Sequence, residues 1–322
     1  MNRSVYAAVS TAGALGLVLT ACAGPSGDTT ASPEGTELRE VVIATQAIVD
    51  SAPLYLGVEK GLFAKQGIDL TIETSAGGAA VVPGVISGDF DFGRGNMLST
   101  MLAVDRGLDL KCIANANTTA GDPDFGAVVV LEDSPIKTVA DLEGKTVSVN
   151  TLANIGDTTI RSVVEEGGGD PSGINFVEVG FSEAPAVLES KQVDAAWILD
   201  PFLTESLNSG ARVISYNFSE FHPELDISCV FASTAMMEKE PELVAAFQTA
   251  MNESLEYSQE NPDEVRDIVS TYTKIDPEVL QEIVIPVFRP DFSREAAEKL
   301  GKKAVEYGTL SKEPNLDELL PE

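Results

Sequence analysis

The stretch "ESKQVDAAWILDPF", residues 189–202, places a helix end, a polar turn, an aspartate and a short apolar strand in succession, and then enters a loop. The stretch "ISGDFDFG", residues 86–93, is built in the same way in the first half of the chain. One unit used in both halves predicts two α/β lobes whose strand ends face each other. A ligand would then bind between the lobes, at the carboxyl ends of the strands.

Short β-branched and apolar runs alternate with helical stretches from residue 41 onward. The candidate strands are 41–46, 70–75, 90–93, 110–116, 126–132, 145–150, 175–179, 195–199, 211–216 and 228–233. Most are apolar almost without interruption, which is typical of strands buried on both faces of a sheet. After residue 236 the pattern is helical only, since Leu243, Phe247, Met251 and Leu255 recur every four residues. The predicted fold class is α/β.

The first 21 residues have the composition of a secretory signal peptide. Arg3 is followed by small and apolar residues, and no charge occurs between Arg3 and Asp28. A transmembrane helix is the alternative, but a span needs about 20 predominantly apolar residues, and serine, threonine and glycine dilute this run. We therefore expect residues 1–21 to be removed on export.

Residues Leu19-Thr20-Ala21-Cys22 resemble the bacterial lipobox, in which cleavage precedes a cysteine whose sulfur receives a diacylglycerol. An incidental cysteine near an ordinary cleavage site is the alternative. Acyl chains gain about 0.8 kcal/mol per CH₂ buried in lipid, so an acylated Cys22 would anchor the protein to the cell membrane on its extracytoplasmic face. The glycine, serine, threonine and proline of residues 22–37 predict a flexible tether.

The chain of 322 residues carries 51 acidic and 21 basic side chains, which gives a formal charge of −30. Such a surface repels a phosphate backbone, so we expect no nucleic-acid partner. The single histidine, His222, has no cysteine or histidine at metal-ligand spacing. No metal site is therefore predicted.

Four segments follow one another in the order "TQAIVDSAPLYLGVEKGLFAKQGIDLTIE", "GVISGDFDFGRGN", "LEDSPIKTVADLEGKTVSVN" and "KQVDAAWILDPF". In that order they resemble the SsuA/THI5-like (NMT1) family of ABC-transporter substrate-binding proteins, over about residues 40–250. The resemblance implies a type II periplasmic-binding-protein fold with two lobes joined by two crossing strands. We place the crossings at 126–134 and 228–234, lobe I at 38–126 plus 233–322, and lobe II at 127–232.

The resemblance also implies the partners. A monomeric binding protein of this family would deliver a small-molecule solute to an ABC permease and its ATPase. Because the two-lobe fold puts Cys112 and Cys229 on strands near the hinge, we predict that they form a disulfide. Two buried free thiols are the alternative, although an exported chain reaches a disulfide-permissive compartment.

An exported enzyme on the same fold is the second functional hypothesis, because fungal THI5-like proteins make a pyrimidine from their own histidine, pyridoxal phosphate and iron. That chemistry requires a lysine Schiff base, the donor histidine and a cysteine-rich iron motif. This chain has one histidine and two unlipidated cysteines far apart. We expect a binding protein without catalytic residues or cofactor.

Ligands of such clefts meet the loops after the strands and the N-termini of the next helices. The candidate contacts are Gln46, Ile48 and Asp50; Arg94, Asn96 and Met97; Asn150, Thr151, Asn154, Asp157 and Thr158; and Trp197, Asp200 and Phe202. Three of them have a structural alternative as helix N-caps: Asn96, Asp157 and Asp200. Trp197 has another, since its strand is predicted to be buried.

The charge of the candidate contacts limits the solute. Family members carry alkanesulfonates, taurine, nitrate, aromatic acids, pyrimidines or riboflavin. Arg94 is the only basic side chain among the candidates, and it stands against Asp50, Asp157 and Asp200. We therefore favour a neutral or weakly basic solute, nitrogen-containing or aromatic, over a strong anion such as a sulfonate.

Overall fold

A computed structural model describes residues 38–321; the predicted signal peptide, Cys22 and the tether up to residue 37 lie outside the described residues. The strands within that range are β1 (Arg39–Thr45), β2 (Ile68–Thr74), β3 (Phe92–Asn96), β4 (Leu110–Thr118), β5 (Gly126–Leu131), β6 (Thr146–Val149), β7 (Asn175–Glu178), β8 (Ala195–Leu199), β9 (Ala211–Ser215) and β10 (Asp226–Ser233).

The α-helices of the same range are α1 (Ala52–Glu59), α2 (Leu62–Lys65), α3 (Gly78–Ser87), α4 (Met97–Asp105), α5 (Ile155–Glu166), α6 (Ala184–Glu189), α7 (Phe202–Asn208), α8 (Asn217–Phe221), α9 (Thr234–Lys239), α10 (Pro241–Glu260), α11 (Pro262–Val269), α12 (Pro277–Leu280), α13 (Arg294–Glu306) and α14 (Leu316–Leu319). None of the helices between residues 38 and 321 has both the length and the apolar character to cross a bilayer.

Two mixed sheets with the same layout form the two lobes. The strand order is β2-β1-β3-β10-β4 in the first sheet and β7-β6-β8-β5-β9 in the second. In each sheet four strands run in the same direction, and the fourth strand of the order runs antiparallel to both of its neighbours. The two similarly built stretches of the sequence supply β3 and β8, the middle strands of the two sheets. This is the predicted α/β class.

The chain passes between the sheets twice. It leaves the first sheet after β4 through residues 119–125 and returns after β9 through residues 216–225. The backbone N–H of Thr119 donates to the carbonyl oxygen of Leu225 at 3.0 Å, which ties the two crossings together. Because β10 pairs only with first-sheet strands from Asp226 onward, we propose that lobe II ends near residue 225, not at residue 232.

Cys112 on β4 and Cys229 on β10 form the predicted disulfide, with their Cα atoms 5.8 Å apart. That separation is in the usual range for a disulfide. Both cysteines are buried, and their strands are neighbours in the first sheet. The bond therefore fixes β10, the strand whose first residues reach the cleft between the lobes.

Strand β3 begins at Phe92, two residues later than the sequence predicts. The reason is Asp91, whose carboxylate accepts the backbone N–H of Val42 at 2.8 Å and so ends the turn before the strand. The strand then continues through Arg94 to Asn96. Its last residues therefore lie at the cleft edge of the first sheet.

The helical pattern after residue 236 is confirmed, and its longest element is α10. Phe247, Met251 and Leu255 are buried, whereas Leu243 is only partly buried. The ring of Phe247 lies with its centroid 4.2 Å from that of Phe92. Helix α10 therefore covers the first sheet from the side, and holds the middle strand from which the cleft residues project.

Candidate functional site

Two sheet edges face each other across the cleft between the lobes. In the first sheet β1 and β3 end at this edge, and the antiparallel β10 begins there, since Ser228 pairs with Asn96. In the second sheet β8 ends at the cleft and the antiparallel β5 begins there, since Gly126 pairs with Leu199. This is the place that the strand-end rule predicts for a ligand.

The lobes touch directly, so the cleft is closed. The backbone N–H of Val49 donates to the carbonyl oxygen of Asp200 at 3.1 Å. The Asp200 carboxylate also accepts the backbone N–H of Val284 at 2.9 Å, and the Asn154 amide donates to the Ser99 hydroxyl at 3.1 Å. Polar groups of both lobes therefore satisfy one another across the cleft.

A small space remains at the centre of the closed cleft, and we call it the inner cavity. It is lined by Gln46, Ile48, Asp50, Asn96, Ile227 and Ser228 from the first lobe and by Asn150, Ile155, Phe181, Trp197, Leu199 and Phe218 from the second. The free space amounts to about 10 Å³ for the centre of a water molecule, which is room for about one water. The lobes must therefore part before an organic solute can enter.

A second space, which we call the outer chamber, adjoins the inner cavity at the mouth of the cleft. It offers about 250 Å³ and shares Gln46, Ile48 and Phe181 with the inner cavity. Ala47, residues 74–76, residues 180–183 and Phe202 complete its lining. The shared residues form the boundary between the two spaces, so opening the lobes slightly would merge them.

Aromatic rings dominate the second-lobe side of the inner cavity. The centroid of Trp197 lies 5.3 Å from that of Phe181 and 5.4 Å from that of Phe218, both in edge-to-face geometry. The six-membered ring of Trp197 lies against Gly156, where a Cβ atom would come within 2.5 Å of it. Glycine at the start of α5 therefore lets the indole lie at the cavity wall.

A buried ion pair lies on the first-lobe side. Arg94 Nη2 is 2.6 Å from Asp50 Oδ2, and both side chains are 2% exposed or less. The guanidinium also donates to the carbonyl oxygen of the Asn117 side chain at 3.0 Å and contacts the hydroxyls of Thr45 and Ser51. Arg94, the only basic residue among the predicted contacts, is therefore neutralised by Asp50. Asp50 also separates it from the inner cavity.

Six of the predicted contact residues line the inner cavity: Gln46, Ile48, Asp50, Asn96, Asn150 and Trp197. Phe202 lines the outer chamber with Gln46 and Ile48. Asn96 also caps α4, because its side chain accepts the backbone N–H of Ser99 at 2.9 Å. Asn96 therefore both caps α4 and lines the inner cavity, because its side-chain amide nitrogen remains available for other partners.

The other predicted contacts have structural surroundings away from the inner cavity. Met97 is buried beside the sulfur of Cys112, and Arg94 lies behind Asp50. Asn154 and Asp157 form the capping box of α5, Thr158 is buried in the first turn of that helix, and Thr151 lies near Gly77 at the cleft edge. Their part in ligand binding stays a prediction.

Two carboxyl groups near the crossings have raised pKa values. Burial raises the pKa of Asp200 to about 7, although Thr204 and Val284 donate hydrogen bonds to it. Burial also raises the pKa of Asp124 to about 6, against hydrogen bonds from Thr119 and the backbone. The two carboxyl groups repel each other when ionised, so this part of the molecule favours their protonated forms.

Six cavity residues were not among the predicted contacts: Ile155, Phe181, Leu199, Phe218, Ile227 and Ser228. Phe181 and Phe218 follow β7 and β9, so the strand-end rule would have found them if applied to every strand. Ile227 and Ser228 lie at the beginning of an antiparallel strand. No sequence pattern states the direction of a strand, which is why these two were missed.

The sequence model of the NMT1/THI5 like family matches residues 48–265. The chain belongs to this family. The formylaminopyrimidine-binding protein of Halalkalibacterium halodurans is 25% identical over 249 residues, which cover 76% of this chain and 73% of the relative. The 4-amino-5-hydroxymethyl-2-methylpyrimidine phosphate synthase THI5 of Saccharomyces cerevisiae is 28% identical, but over only 44% of this chain and 40% of its own length.

Solved structures confirm the fold. The alkanesulfonate-binding protein SsuA from Xanthomonas axonopodis pv. citri, bound to MOPS, superposes with a TM-score of 0.73 at 17% identity. The superposition covers 88% of this chain and 98% of that protein. The protein described here therefore has the predicted type II periplasmic-binding-protein fold with two lobes.

Proposed function

We propose that this protein is the extracytoplasmic solute-binding component of an ABC importer. It encloses a small organic solute between its lobes and presents the closed complex to a permease and its ATPase. The observation that carries the proposal is the inner cavity, to which each lobe contributes six residues. A site divided in this way is complete only when the lobes are closed, so solute binding and closure stabilise each other.

The solute class follows from the two sides of the cavity. Three aromatic rings on the second lobe suit a flat or apolar solute, while the first lobe offers amides, a hydroxyl and the Asp50 carboxylate. A sulfonate would meet Asp50 before it met Arg94. We therefore propose a neutral or weakly basic aromatic or nitrogen-containing solute, and the pyrimidine in the name of the Halalkalibacterium relative supports that class.

The lipid anchor is a separate part of the proposal. It rests on the Leu19-Thr20-Ala21-Cys22 motif and on the tether that follows. Replacing the sulfur in Cys22→Ser should release the protein from the membrane fraction or leave it unprocessed. Detection of the variant in the membrane fraction at the parent's level, with no diacylglyceryl group on the parent by mass spectrometry, would refute the anchor and leave the binding function untouched.

The binding function is tested by thermal-shift screening of the purified full-length protein. The panel contains nitrogen heterocycles, flavins, sulfonates, nitrate, amino acids and sugars. A solute at 100 times its dissociation constant adds about 2.7 kcal/mol to the free energy of unfolding. We expect at least one heterocycle to raise the melting temperature, followed by saturable binding in calorimetry. A panel on which only sulfonates or nitrate bind would contradict the proposed solute class.

The enzymatic alternative gains no support from the cavity, because its twelve lining residues include no lysine, histidine or cysteine. Among the described residues, the two cysteines of the first sheet are joined to each other. Incubation with pyridoxal phosphate decides the matter directly. An internal aldimine absorbance that disappears on borohydride treatment would favour the enzyme, and we expect the absorbance spectrum of free pyridoxal phosphate.

A further inference from the structure

Residues 281–293 connect α12 to α13, and we call them the hinge clasp. They form no helix, and Val287 alone among them makes a β-bridge. The clasp is nevertheless fixed in place, because Ile283 and Phe288 are buried in the hydrophobic core. The backbone N–H of Phe288 also donates to the side-chain carbonyl oxygen of Gln259 on α10 at 2.7 Å. The clasp is therefore anchored to the first lobe.

The clasp contacts both crossings between the lobes. Val287 exchanges two backbone hydrogen bonds, at 2.8 and 3.1 Å, with Thr118, the last residue before the first crossing. At the end of the second crossing, Arg289 Nη1 lies 3.7 Å from Glu224 Oε1. Arg289 Nη2 lies 3.2 Å from Oδ1 of Asp226, the residue that follows this crossing. The clasp therefore lies directly against the hinge.

The clasp also reaches the second lobe. The backbone N–H of Val284 donates to Asp200 Oδ2 at 2.9 Å. The side-chain amide of Asn208, at the end of α7, donates to Glu282 Oε2 at 3.0 Å. Asn208 and Glu282 are exposed, whereas Asp200 is buried. The bond between Val284 and Asp200 should therefore matter most, because exposed groups exchange a lost partner for water.

Asp200 is held in position by its own lobe. Its backbone N–H donates to the carbonyl oxygen of Phe125 at 2.7 Å. Its Oδ1 accepts the backbone N–H of Thr204 at 2.9 Å and the hydroxyl of the same residue at 2.7 Å. The other oxygen, Oδ2, is the one that the clasp contacts. With the clasp anchored to the first lobe and Asp200 to the second, opening of the lobes breaks the bond between Val284 and Asp200.

We propose that the hinge clasp is a third, noncovalent connection between the lobes, and that it controls how readily the closed cleft opens in the absence of solute. The two crossings bend when the lobes rotate, while the clasp stays with the first lobe and releases Asp200. Val284 and Arg289 are positioning residues, since neither lines the inner cavity. The proposal goes beyond the solute-binding function, because it concerns the solute-free protein and is independent of the identity of the solute.

Amide hydrogen exchange of Val49 in the solute-free, full-length protein measures this opening. The Val49 N–H donates across the cleft to the carbonyl oxygen of Asp200, and that oxygen stays in place when the Asp200 side chain is replaced. Asp200→Ala removes the acceptor of the clasp. It should accelerate exchange at Val49 by about tenfold or more, because the open form gains population when one hydrogen bond of the closed form is lost.

Thr204→Val is the matched control for Asp200→Ala. It has nearly the same shape as the parent and removes a hydrogen bond to the same carboxyl group, but at Oδ1 and within the second lobe. The clasp bond at Oδ2 remains. Val49 should therefore exchange at the parent's rate in Thr204→Val. Equal acceleration in Asp200→Ala and Thr204→Val would show that Asp200 has only a structural role, and would overturn the proposal.

A second pair of variants tests the clasp from its own side, and it serves alone if Asp200→Ala does not fold. Arg289→Met removes the ion pairs with the second crossing and should accelerate exchange at Val49 several-fold. Arg289→Lys should restore part of the slow exchange, because lysine keeps the charge. Arg294→Met is the control, since the ion pairs of Arg294 with Glu298 and Asp317 stay near the C-terminus.

Fluorescence gives an independent readout of opening. Trp197 is the only tryptophan of the chain, is 2% exposed and lines the inner cavity. Acrylamide should quench it more strongly in Asp200→Ala and Arg289→Met than in the parent and the two controls. Parent values of both exchange and quenching in these variants would overturn the role of the clasp. Faster exchange at Val49, together with no solute binding in the thermal-shift panel, would keep the clasp and refute the proposed function.

Discussion

The two walls of the cleft differ in chemistry although the two sheets share one layout. The first-lobe wall is polar, with Gln46, Asp50, Asn96 and Ser228. The second-lobe wall is aromatic, with Phe181, Trp197 and Phe218. Polar groups provide orientation and selectivity, whereas aromatic rings provide buried area. The same sheet layout therefore carries a polar wall in one lobe and an aromatic wall in the other, and we propose that a solute binds only where both walls contribute.

The difference also predicts how each wall responds to substitution. The rings of the second wall pack against one another and continue into the hydrophobic core, so their removal should cost both stability and affinity. On the first wall, removal of Gln46, Asn96 or Ser228 should cost affinity with little loss of stability. Asp50 is the exception, because it belongs to a buried ion pair and its removal would leave the Arg94 charge without its partner.

The largest effect is expected for Trp197→Ala on the aromatic wall. Truncating a buried tryptophan removes apolar contacts and leaves a cavity, which costs about 3–5 kcal/mol of unfolding free energy. Solute affinity should fall as well. Asn96→Ala on the polar wall is the matched comparison and should lose only about 1 kcal/mol through its helix cap. Denaturant unfolding measures both, and equal losses would contradict the division between the walls.

The disulfide behind the polar wall gives the next effect. The cysteines are 117 residues apart in sequence. The chain-entropy model gives about 4–5 kcal/mol for such a loop, and removal of a native disulfide typically costs about 2–5 kcal/mol. The double variant Cys112→Ala/Cys229→Ala should lose that stability and keep the parent's solute affinity, because neither cysteine lines the cavity. A variant that keeps its stability but loses affinity would reverse this account.

Asp200 connects the two lobes, and its raised pKa makes the free energy of unfolding depend on pH. The folded-state pKa is about 7, above the unfolded value of about 3.9, so the folded state binds the proton more tightly. Between about pH 4 and pH 7 the unfolding free energy contributed by this group therefore falls as pH rises. Over that pH interval the unfolding free energy of the parent should fall, relative to that of Asp200→Asn, by up to a few kcal/mol.

Urea unfolding at several pH values measures this difference. Asp124, whose pKa is raised to about 6, should add to the same trend, so Asp124→Asn is the neighbouring control. Solute affinity should also weaken in Asp200→Ala, since the Asp200 carboxylate holds the backbone N–H of Val284 across the cleft. If the unfolding free energies of the parent and Asp200→Asn depended on pH in the same way, Asp200 would not be the source of the pH dependence.

The smallest effect is expected outside the cleft, where α13 of the first lobe faces α5 of the second. Lys303 pairs with Glu165 at 2.6 Å and Lys299 with Glu166 at 3.2 Å. These side chains are partly exposed, so each pair should contribute less than about 1 kcal/mol. Glu165→Gln should change stability and solute affinity within that limit. A larger loss of affinity would show that closure of the lobes depends on these outer salt bridges more than on the two walls.

The sequence contained enough information for the fold because both lobes depend on patterns that repeat. The two similar stretches became β3 and β8, the middle strands of equivalent sheets. The four-residue spacing from Leu243 became one face of α10. The end of lobe II stays a proposal, because β10 has the composition of any other apolar strand and only its pairing shows to which sheet it belongs.

The candidate site was predicted less completely, for a physical reason. Loops after parallel strands can be read from the sequence, and they supplied Gln46, Asp50, Asn96 and Asn150. The ion pair between Arg94 and Asp50 joins residues 44 positions apart, and no local pattern encodes such a contact. The same holds for Ser228, whose place at the cleft depends on strand direction.

The most direct test of the two-wall account is calorimetric titration of the solute found by screening against the parent, Asn96→Ala and Phe181→Ala. Each substitution removes one cavity residue from one wall. We expect both variants to lose about 1–3 kcal/mol of binding free energy, the first through a lost hydrogen bond and the second through lost apolar contact. Parent affinity in both variants would show that the solute does not bind between these walls.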